Sequence, residues 1–276
     1  MDEIRIRELK VFAYHGVYPR ENEQGQDFYI NAALRCSTQR AGISDDLEAS
    51  VSYEEVCELL QREMKAHTWK LLEAAAEHIS AVLFAKYALL QELVLEIRKP
   101  DAPIDADFAS VSVCIRRKRH VAYVAYGANE GDCEQQIEDG IAMLDRDPFC
   151  MVARMTKPLK STPYGGVEQS DFYNGVIELQ TVYEPVELLH CLQGIEKAQG
   201  RERKEHWGPR TLDLDILLYD DLVYDSRELT IPHPDMMNRD FVMLPLSQLA
   251  SHVRHPLTGK TIGEMARLPM ERHVKA

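Results

Sequence analysis

The chain has 276 residues, 45% of them hydrophobic and 28% charged, enough to bury two domain cores without disulfide staples. A net charge of −13 argues against general nucleic-acid binding, which needs a basic footprint, and no run of about 18 apolar residues offers a membrane-spanning helix. Six scattered cysteines without a CxxC pair, no HExxH motif or Cys/His cluster, and a charged opening, MDEIRIRELK, predict a cytoplasmic protein with reduced thiols and no dedicated zinc site.

In chain order, the alternating segments Ile4–Arg7 and Phe28–Leu34 predict strands. Ser52-Tyr53-Glu54-Glu55 has the pattern of a capping box, and Val56, Leu59, Leu60 and Met64 follow at helical spacing. A second helix is expected over about 72–87, with Ala76, Ile79, Leu83 and Tyr87 on one face. Leu93–Arg98 and Val111–Arg117 complete a β-β-α-α-β-β order, which predicts an antiparallel sheet with helices on one face. The basic run Arg116–Arg119 is expected to be a solvated strand end. It closes a first domain, 1–119, and a second begins almost at once, 120–276.

The second half predicts strand 121–126, helix 134–145, strands 150–158 and 174–181, helix 185–199 and strand 212–219. Pro185 and Gly200 flank the second helix with the usual asymmetry. This β-α-β-β-α-β order is ferredoxin-like, so the chain as a whole is expected to be α+β. Residues 220–270 are expected to add turns, at Pro232, Pro234, Pro245 and Pro256, and short elements.

Charge sharpens the reading. The first 119 residues sum to −4 and the remainder to −9, yet Arg201, Arg203, Lys204 and Arg210 fall within ten residues of the acidic half. A basic cluster against the prevailing sign predicts a bound polyanion such as a triphosphate. Just downstream, Asp213 and Asp215 are two apart on a predicted strand, so both carboxylates face one way, about 7 Å apart. Like charges so placed call for a hard cation, one Mg²⁺ or two, shared with phosphate oxygens. No GxxxxGK[ST] loop is present, so side-chain cations must hold the phosphates.

Several motifs carry a resemblance: Gly127-Ala128-Asn129, Ser161-Thr162-Pro163, Asp171-Phe172-Tyr173-Asn174, Ile195-Glu196, Gly200-Arg201, the run Trp207–Asp215, Pro232-His233-Pro234-Asp235 and Asn238-Arg239. With these, residues 121–270 resemble 6-hydroxymethyl-7,8-dihydropterin pyrophosphokinase. The resemblance implies that Asp213 and Asp215 hold two Mg²⁺ ions. Arg201, Arg210 and Arg239 would bind the ATP phosphates, with Arg203 and Lys204 nearby, and Gln193, Glu196 and His233 would line the nucleotide site. The pterin would stack between Trp207 and Phe241, hydrogen-bonded by Asn174, with Thr162, Pro163 and Phe172 completing the pocket. Pro234 and Ala128 depart from the family's frequent Tyr and Ser, and the loop from Thr162 to Phe172 is about one residue short by the same comparison.

Residues 1–119 resemble dihydroneopterin aldolase through Tyr14-His15-Gly16, Glu21-Asn22-Glu23, Gly25-Gln26, Val51-Ser52-Tyr53, Leu71-Leu72-Glu73, Lys99-Pro100 and Pro103-Ile104. The resemblance implies the tunnelling-type fold, with Glu73, beside Leu72, anchoring the amino-pyrimidine edge. Lys99 and Tyr53 would move protons, Glu21 would position them, and no cofactor is needed. It also implies a homo-oligomer, tetramer or octamer, with sites between subunits. The combined reading is a bifunctional folate-biosynthesis enzyme whose partners are pterins and ATP. Its rivals are a pyrophosphokinase on a non-catalytic N-terminal scaffold, a ferredoxin-like RNA-binding module, which charge and the lack of an aromatic RNA-reading strand disfavour, and an aldolase half with a further epimerase activity.

Overall fold

The structure, a computed structural model, describes residues 1–164, 169–200 and 210–275. Two compact units divide the chain, Met1–Arg119 and His120–Ala276.

In the first unit, β1 (Asp2–Ala13), β2 (Gln26–Cys36), β3 (Glu92–Lys99) and β4 (Val111–Lys118) form an antiparallel sheet in the order β1-β2-β3-β4. Alternation places Phe28, Ile30 and Leu34 of β2 and Leu93, Leu95 and Ile97 of β3 in the core, all fully buried. Two long helices, α3 (Tyr53–Ala66) and α4 (Leu72–Lys86), supply the other wall through Val56, Leu60, Met64, Ile79 and Leu83. Two short helices, α1 (Pro19–Gln24) and α2 (Gln39–Ser44), flank β2 and lie outside the periodicity that sequence inspection detects. A bulge in β1 puts Glu8 at φ 54°, where its N–H donates to Asn31 Oδ1 at 2.8 Å.

Two local expectations change. Ser52 does cap α3, accepting the Glu55 N–H at 3.3 Å, but the reciprocal half of the box is missing. The Glu55 carboxylate instead pairs with Lys86 at 2.7 Å and accepts from Tyr87 Oη at 3.1 Å, tying the two helices together. Of the basic run, Arg116 and Lys118 are exposed as expected of a strand end, while Arg117 and Arg119 are partly buried. Arg117 pairs with Glu77, and Arg119 donates to the carbonyls of Phe84 (2.8 Å) and Tyr87 (3.3 Å), satisfying acceptors at the end of α4.

In the second unit, β5 (His120–Ala128), α5 (Cys133–Arg146), β6 (Cys150–Met155), β7 (Leu159–Ser161), β8 (Phe172–Thr181), α6 (Pro185–Ala198) and β9 (Asp213–Tyr219) follow the expected order. The sheet runs β6-β8-β5-β9, wholly antiparallel. The strand expected over 150–158 stops at Met155, and a separate strand, β7, begins at Leu159. Both pair with β8, interrupted around Pro158, which has no N–H to offer the ladder. One face packs on α5 and α6 through Val124, Tyr126, Leu144, Leu192, Leu214 and Ile216. The other packs on α7 (Asp240–Ala250) and α8 (Ile262–Met265) through Val176, Leu217, Phe241 and Leu246. Helix α7 runs through Pro245, the signal that made this stretch read as turns. A small hairpin, β10 (Tyr224–Asp225) and β11 (Thr230–Ile231), follows β9. No helix among the described residues is long and apolar enough to cross a membrane, and all six cysteines are free.

Candidate functional sites

The second unit builds its site on the α7 side of the sheet. Gly127 of β5 pairs with Asn174 of β8 on one side and with Asp213 of β9 on the other. Directly paired residues point to the same face, so the carboxamide and the carboxylate flank a position that carries no side chain. A Cβ at Gly127 would lie 2.6 Å from Asn174 Oδ1. One step along, Ala125 stands between Val176 and Asp215 in the same way. Both aspartates are half-buried, while Leu214 and Ile216 fill the opposite core.

Three neighbours hold this strand end. The Glu196 carboxylate, 4% exposed on α6, accepts the Leu214 N–H at 2.8 Å. Arg210 ion-pairs with Asp213. Asn129, buried at the end of β5, accepts the Arg210 N–H at 2.8 Å, donates its own N–H to the Arg210 carbonyl at 3.0 Å, and donates through Nδ2 to Gln169 and Ser170. Two hard carboxylates beside a cation-bearing loop form a donor set that fits Mg²⁺.

The wall opposite comes from the segment leading into α7. His233 Nδ1 accepts the Asp235 N–H at 3.2 Å, and Arg239 donates to Asp235 at 2.9 Å. Burial, with the charge of Arg239, pushes the His233 pKa down to about 4 against the smaller pull of Asp235 and Asp213. The imidazole is therefore neutral, its Nδ1 committed as an acceptor. Arg239 lies over the Tyr164 ring, 5.1 Å from its centroid. Phe241 is buried and meets Tyr164 and His273 edge-on, at 5.9 and 6.0 Å. Thr162 donates its N–H to the His273 carbonyl at 2.9 Å, and Asp240 accepts the N–H groups of His273 and Val274. Asn174 donates to Ser161 Oγ at 2.8 Å. Pro163, Phe172 and Gln193 are half-buried on their elements. Arg201, Arg203, Lys204 and Trp207 lie outside the described residues.

Sequence reasoning missed Asn129 at the strand end, and Tyr164 and His273 in the opposite wall. Asn129 belongs to the Gly127-Ala128-Asn129 motif, whose local pattern assigns it no role. The aromatic pair depends on a long-range contact between residues 164 and 273 that no local pattern announces.

In the first unit Lys99, at the end of β3, and Glu21, in α1, form a buried ion pair, 9% and 5% exposed. Burial alone would raise the Glu21 carboxyl. The Lys99 ammonium, the Tyr18 N–H at 3.0 Å and Gln26 outweigh it and hold the group below its ordinary range, ionised. Gly16 presses on this carboxylate: a Cβ there would lie 2.2 Å from Glu21 Oε2, at φ +150°. His15 is fully buried between Phe28 and Trp69, and its Nδ1 accepts the Trp69 N–H at 3.2 Å. Tyr53, 67% exposed, opens α3, and Leu72 and Glu73 open α4, Glu73 on the surface. Among the described residues, no hydrogen bond joins Tyr53 or Glu73 to the Lys99–Glu21 pair.

Comparison with known proteins matches both units. Residues 123–251 match the family of 7,8-dihydro-6-hydroxymethylpterin-pyrophosphokinase, and residues 4–116 match the family of dihydroneopterin aldolase. The 2-amino-4-hydroxy-6-hydroxymethyldihydropteridine pyrophosphokinase of Pseudomonas aeruginosa is 41% identical over 150 residues, covering 54% of this chain and 92% of that protein. The folic acid synthesis protein fol1 of Schizosaccharomyces pombe is 28% identical over 287 residues, covering 98% of this chain and 37% of its own. Escherichia coli dihydroneopterin aldolase, solved in complex with neopterin, is 27% identical with a TM-score of 0.40, over 42% of this chain and 99% of that one. The chain spans 37% to 44% of the length of the longer curated relatives it matches.

Proposed function

The chain belongs to the 7,8-dihydro-6-hydroxymethylpterin-pyrophosphokinase family and carries a dihydroneopterin aldolase domain ahead of it. We propose that it is a bifunctional folate-biosynthesis enzyme performing two successive reactions. In the first, the bond between the first and second carbons of the dihydroneopterin side chain breaks. The second-carbon hydroxyl loses its proton, the ring C=N takes up the electron pair, and glycolaldehyde leaves. Reprotonation of the first carbon gives 6-hydroxymethyl-7,8-dihydropterin. In the second, the new hydroxymethyl oxygen attacks the β-phosphorus of ATP and gives up its proton to solvent; the bond from that phosphorus to the oxygen bridging to the α-phosphate breaks, and AMP departs with that oxygen.

The observation that carries the second reaction is the line Asn174–Gly127–Asp213 across three strands. It sets a hydrogen-bonding carboxamide and a carboxylate that would ligate the metal on one face, either side of a residue with no side chain. Asp213 and Asp215 would hold Mg²⁺, which supplies charge neutralisation of the triphosphate when bound. Arg210, positioned by Asn129, would exchange its contact with Asp213 for a phosphate oxygen, and Arg239 would contribute from the opposite wall. Arg201, Arg203 and Lys204 would add charge, with Gln193 and His233 lining the nucleotide. Trp207 and Phe241 would sandwich the pterin, with Thr162, Pro163 and Phe172 at its rim. Phosphoryl transfer asks for little besides this positioning and charge balance.

For the first reaction, Lys99 and Tyr53 would carry protons, Glu21 would fix the Lys99 ammonium, and Glu73, beside Leu72, would accept from the amino-pyrimidine edge. Tyr53 stands on the surface with no hydrogen bond to the ion pair among the described residues, as a residue serving a neighbouring subunit's site would. The unpaired outer edges of β1 and β4 among the described residues, and the exposed Phe12, Val17, Tyr18 and Val111, support a homo-oligomer of four or eight chains. A cytoplasmic location fits the free thiols.

The test is a paired assay on the purified chain: dihydroneopterin alone, followed for glycolaldehyde, then hydroxymethyl-dihydropterin with ATP and Mg²⁺, followed for AMP. Both products are expected. AMP without glycolaldehyde would reduce the first unit to a scaffold, and neither product would end the reading.

A further inference from the structure

Away from both sites, three metal-ligating side chains converge on the first unit. Glu63 and His67 lie one helical turn apart at the end of α3, and His78 comes from α4. Their ligand atoms all lie within 4.8 Å of one another. The Glu63 carboxylate is 8% exposed, and its two oxygens are used differently. Arg62 donates to Oε1 from Nε and Nη2, at 2.9 and 2.7 Å. Oε2 faces the two imidazoles, with Nε2 of His78 at 2.9 Å and Nε2 of His67 at 3.9 Å. The Trp69 ring lies against both, 5.0 Å from His67 and 5.3 Å from His78.

We propose that Glu63, His67 and His78 form a binding site for a borderline transition-metal cation, Zn²⁺ being the natural occupant. Two imidazole nitrogens and one carboxylate oxygen are a zinc donor set. Arg62 fixes the carboxylate through the oxygen not needed for the metal, as an outer partner does in such sites. Tetrahedral ligands at zinc distances stand about 3.3 Å apart, so the geometry closes with a small swing of one side chain. His67 can make it, because its side chain is 48% exposed at the helix end. The same exposure leaves the fourth position to water. Sequence spacing hid the site, since Glu63 and His67 supply only a helical pair and the third ligand crosses from the next helix. A bound ion would fasten the end of α3 to α4 and would sit against Trp69, whose other side packs on His15 at 5.1 Å.

The experiment uses the full chain, stripped with a chelator and held in excess Mg²⁺ without nucleotide, so that the aspartate pair of the second unit is occupied. Zn²⁺ is then titrated against a chromophoric competitor, and thermal unfolding is followed with and without it. The wild type is expected to bind one equivalent more than His67→Ala, or to bind it at least about tenfold more tightly, and to gain thermal stability that the variant does not. Binding should weaken as the pH falls and protons compete for the imidazoles. His67→Ala removes an exposed side chain and should fold, which circular dichroism checks; His78→Ala and Glu63→Gln repeat the comparison from the other ligands. Equal stoichiometry and affinity in wild type and His67→Ala would overturn the proposal, as would failure of the wild type to bind Zn²⁺ under these conditions.

Discussion

Glu196 holds Leu214: the α6 carboxylate accepts the backbone N–H of the residue that separates Asp213 from Asp215, at 2.8 Å. A carboxylate only 4% exposed and spent on a strand amide sets the pitch of the two aspartates. Glu196→Ala would strand that amide and cost about 1–3 kcal/mol, and it would loosen Asp213 and Asp215, the proposed metal ligands, with it. Glu196→Gln keeps an acceptor of the same length. Chemical denaturation should show Ala well below Gln. The Mg²⁺ concentration for half-maximal AMP formation should rise more for Ala than for Gln. Equal behaviour of the two variants would mean that the bond to β9 is incidental.

Gly127 gives a sharper test of the pterin side. An added methyl would stand 2.6 Å from Asn174 Oδ1, and the carboxamide would have to rotate away from the position fixed by Ser161. Gly127→Ala should therefore raise the KM for hydroxymethyl-dihydropterin by about tenfold or more while leaving the KM for ATP within about twofold, at an overpacking cost of about 1–3 kcal/mol. A rise confined to ATP would place the ring elsewhere.

Much of this is legible in the sequence itself. Alternation in Asp213-Leu214-Asp215-Ile216 is enough to put two acids on one face and two apolar residues in the core, because the side-chain period of a strand is two. Helical spacing found the buried faces of α3 and α4 for the same reason. What stayed hidden depends on contacts far apart in sequence. Nothing local says that Asn129 clamps Arg210, that Arg119 caps α4, or that Tyr164 meets His273. Helix α7 was concealed by Pro245, whose helix-breaking tendency is overridden here by the burial of Phe241, Val242, Met243 and Leu246. Glu55 fits a capping box by pattern, and a better partner, Lys86, takes it away.

His15 makes the first unit acid-sensitive. Burial, then the charge of Lys99, lower its pKa to about 4 from an ordinary 6.5, and protonation would break the bond by which Nδ1 receives the Trp69 N–H. The unfolded chain takes up a proton below pH 6.5 that the folded one refuses until near pH 4. Stability from this group is therefore complete above 6.5 and lost as pH falls through that window, to the extent of about 3 kcal/mol. Urea unfolding followed from pH 8 to pH 4 should show the decline. His15→Asn, with an acceptor oxygen near the Nδ1 position and no titration, should be less stable at pH 8 and flatter below it. A profile for His15→Asn as steep as the wild type would assign the acid sensitivity to other groups.

Lys99 and Glu21 allow structure and chemistry to be separated in one cycle. Both are buried, and Glu21 is held ionised chiefly by Lys99 and the Tyr18 N–H against its own desolvation. Lys99→Met leaves a carboxylate without its counter-charge and should cost about 3–5 kcal/mol. Glu21→Gln strands the ammonium with similar effect. The double variant removes both charges and should be more stable than either single one, because the penalty comes from the unpaired charge and not from the lost attraction. Aldolase turnover follows a different rule. Formation of glycolaldehyde should fall by at least about a hundredfold in every variant lacking Lys99, including the stabilised double one, since a positioned proton carrier is worth about that much. AMP formation should be untouched throughout, because no residue of the second site is altered. Recovery of aldolase activity along with stability in the double variant would show that the pair serves the fold alone.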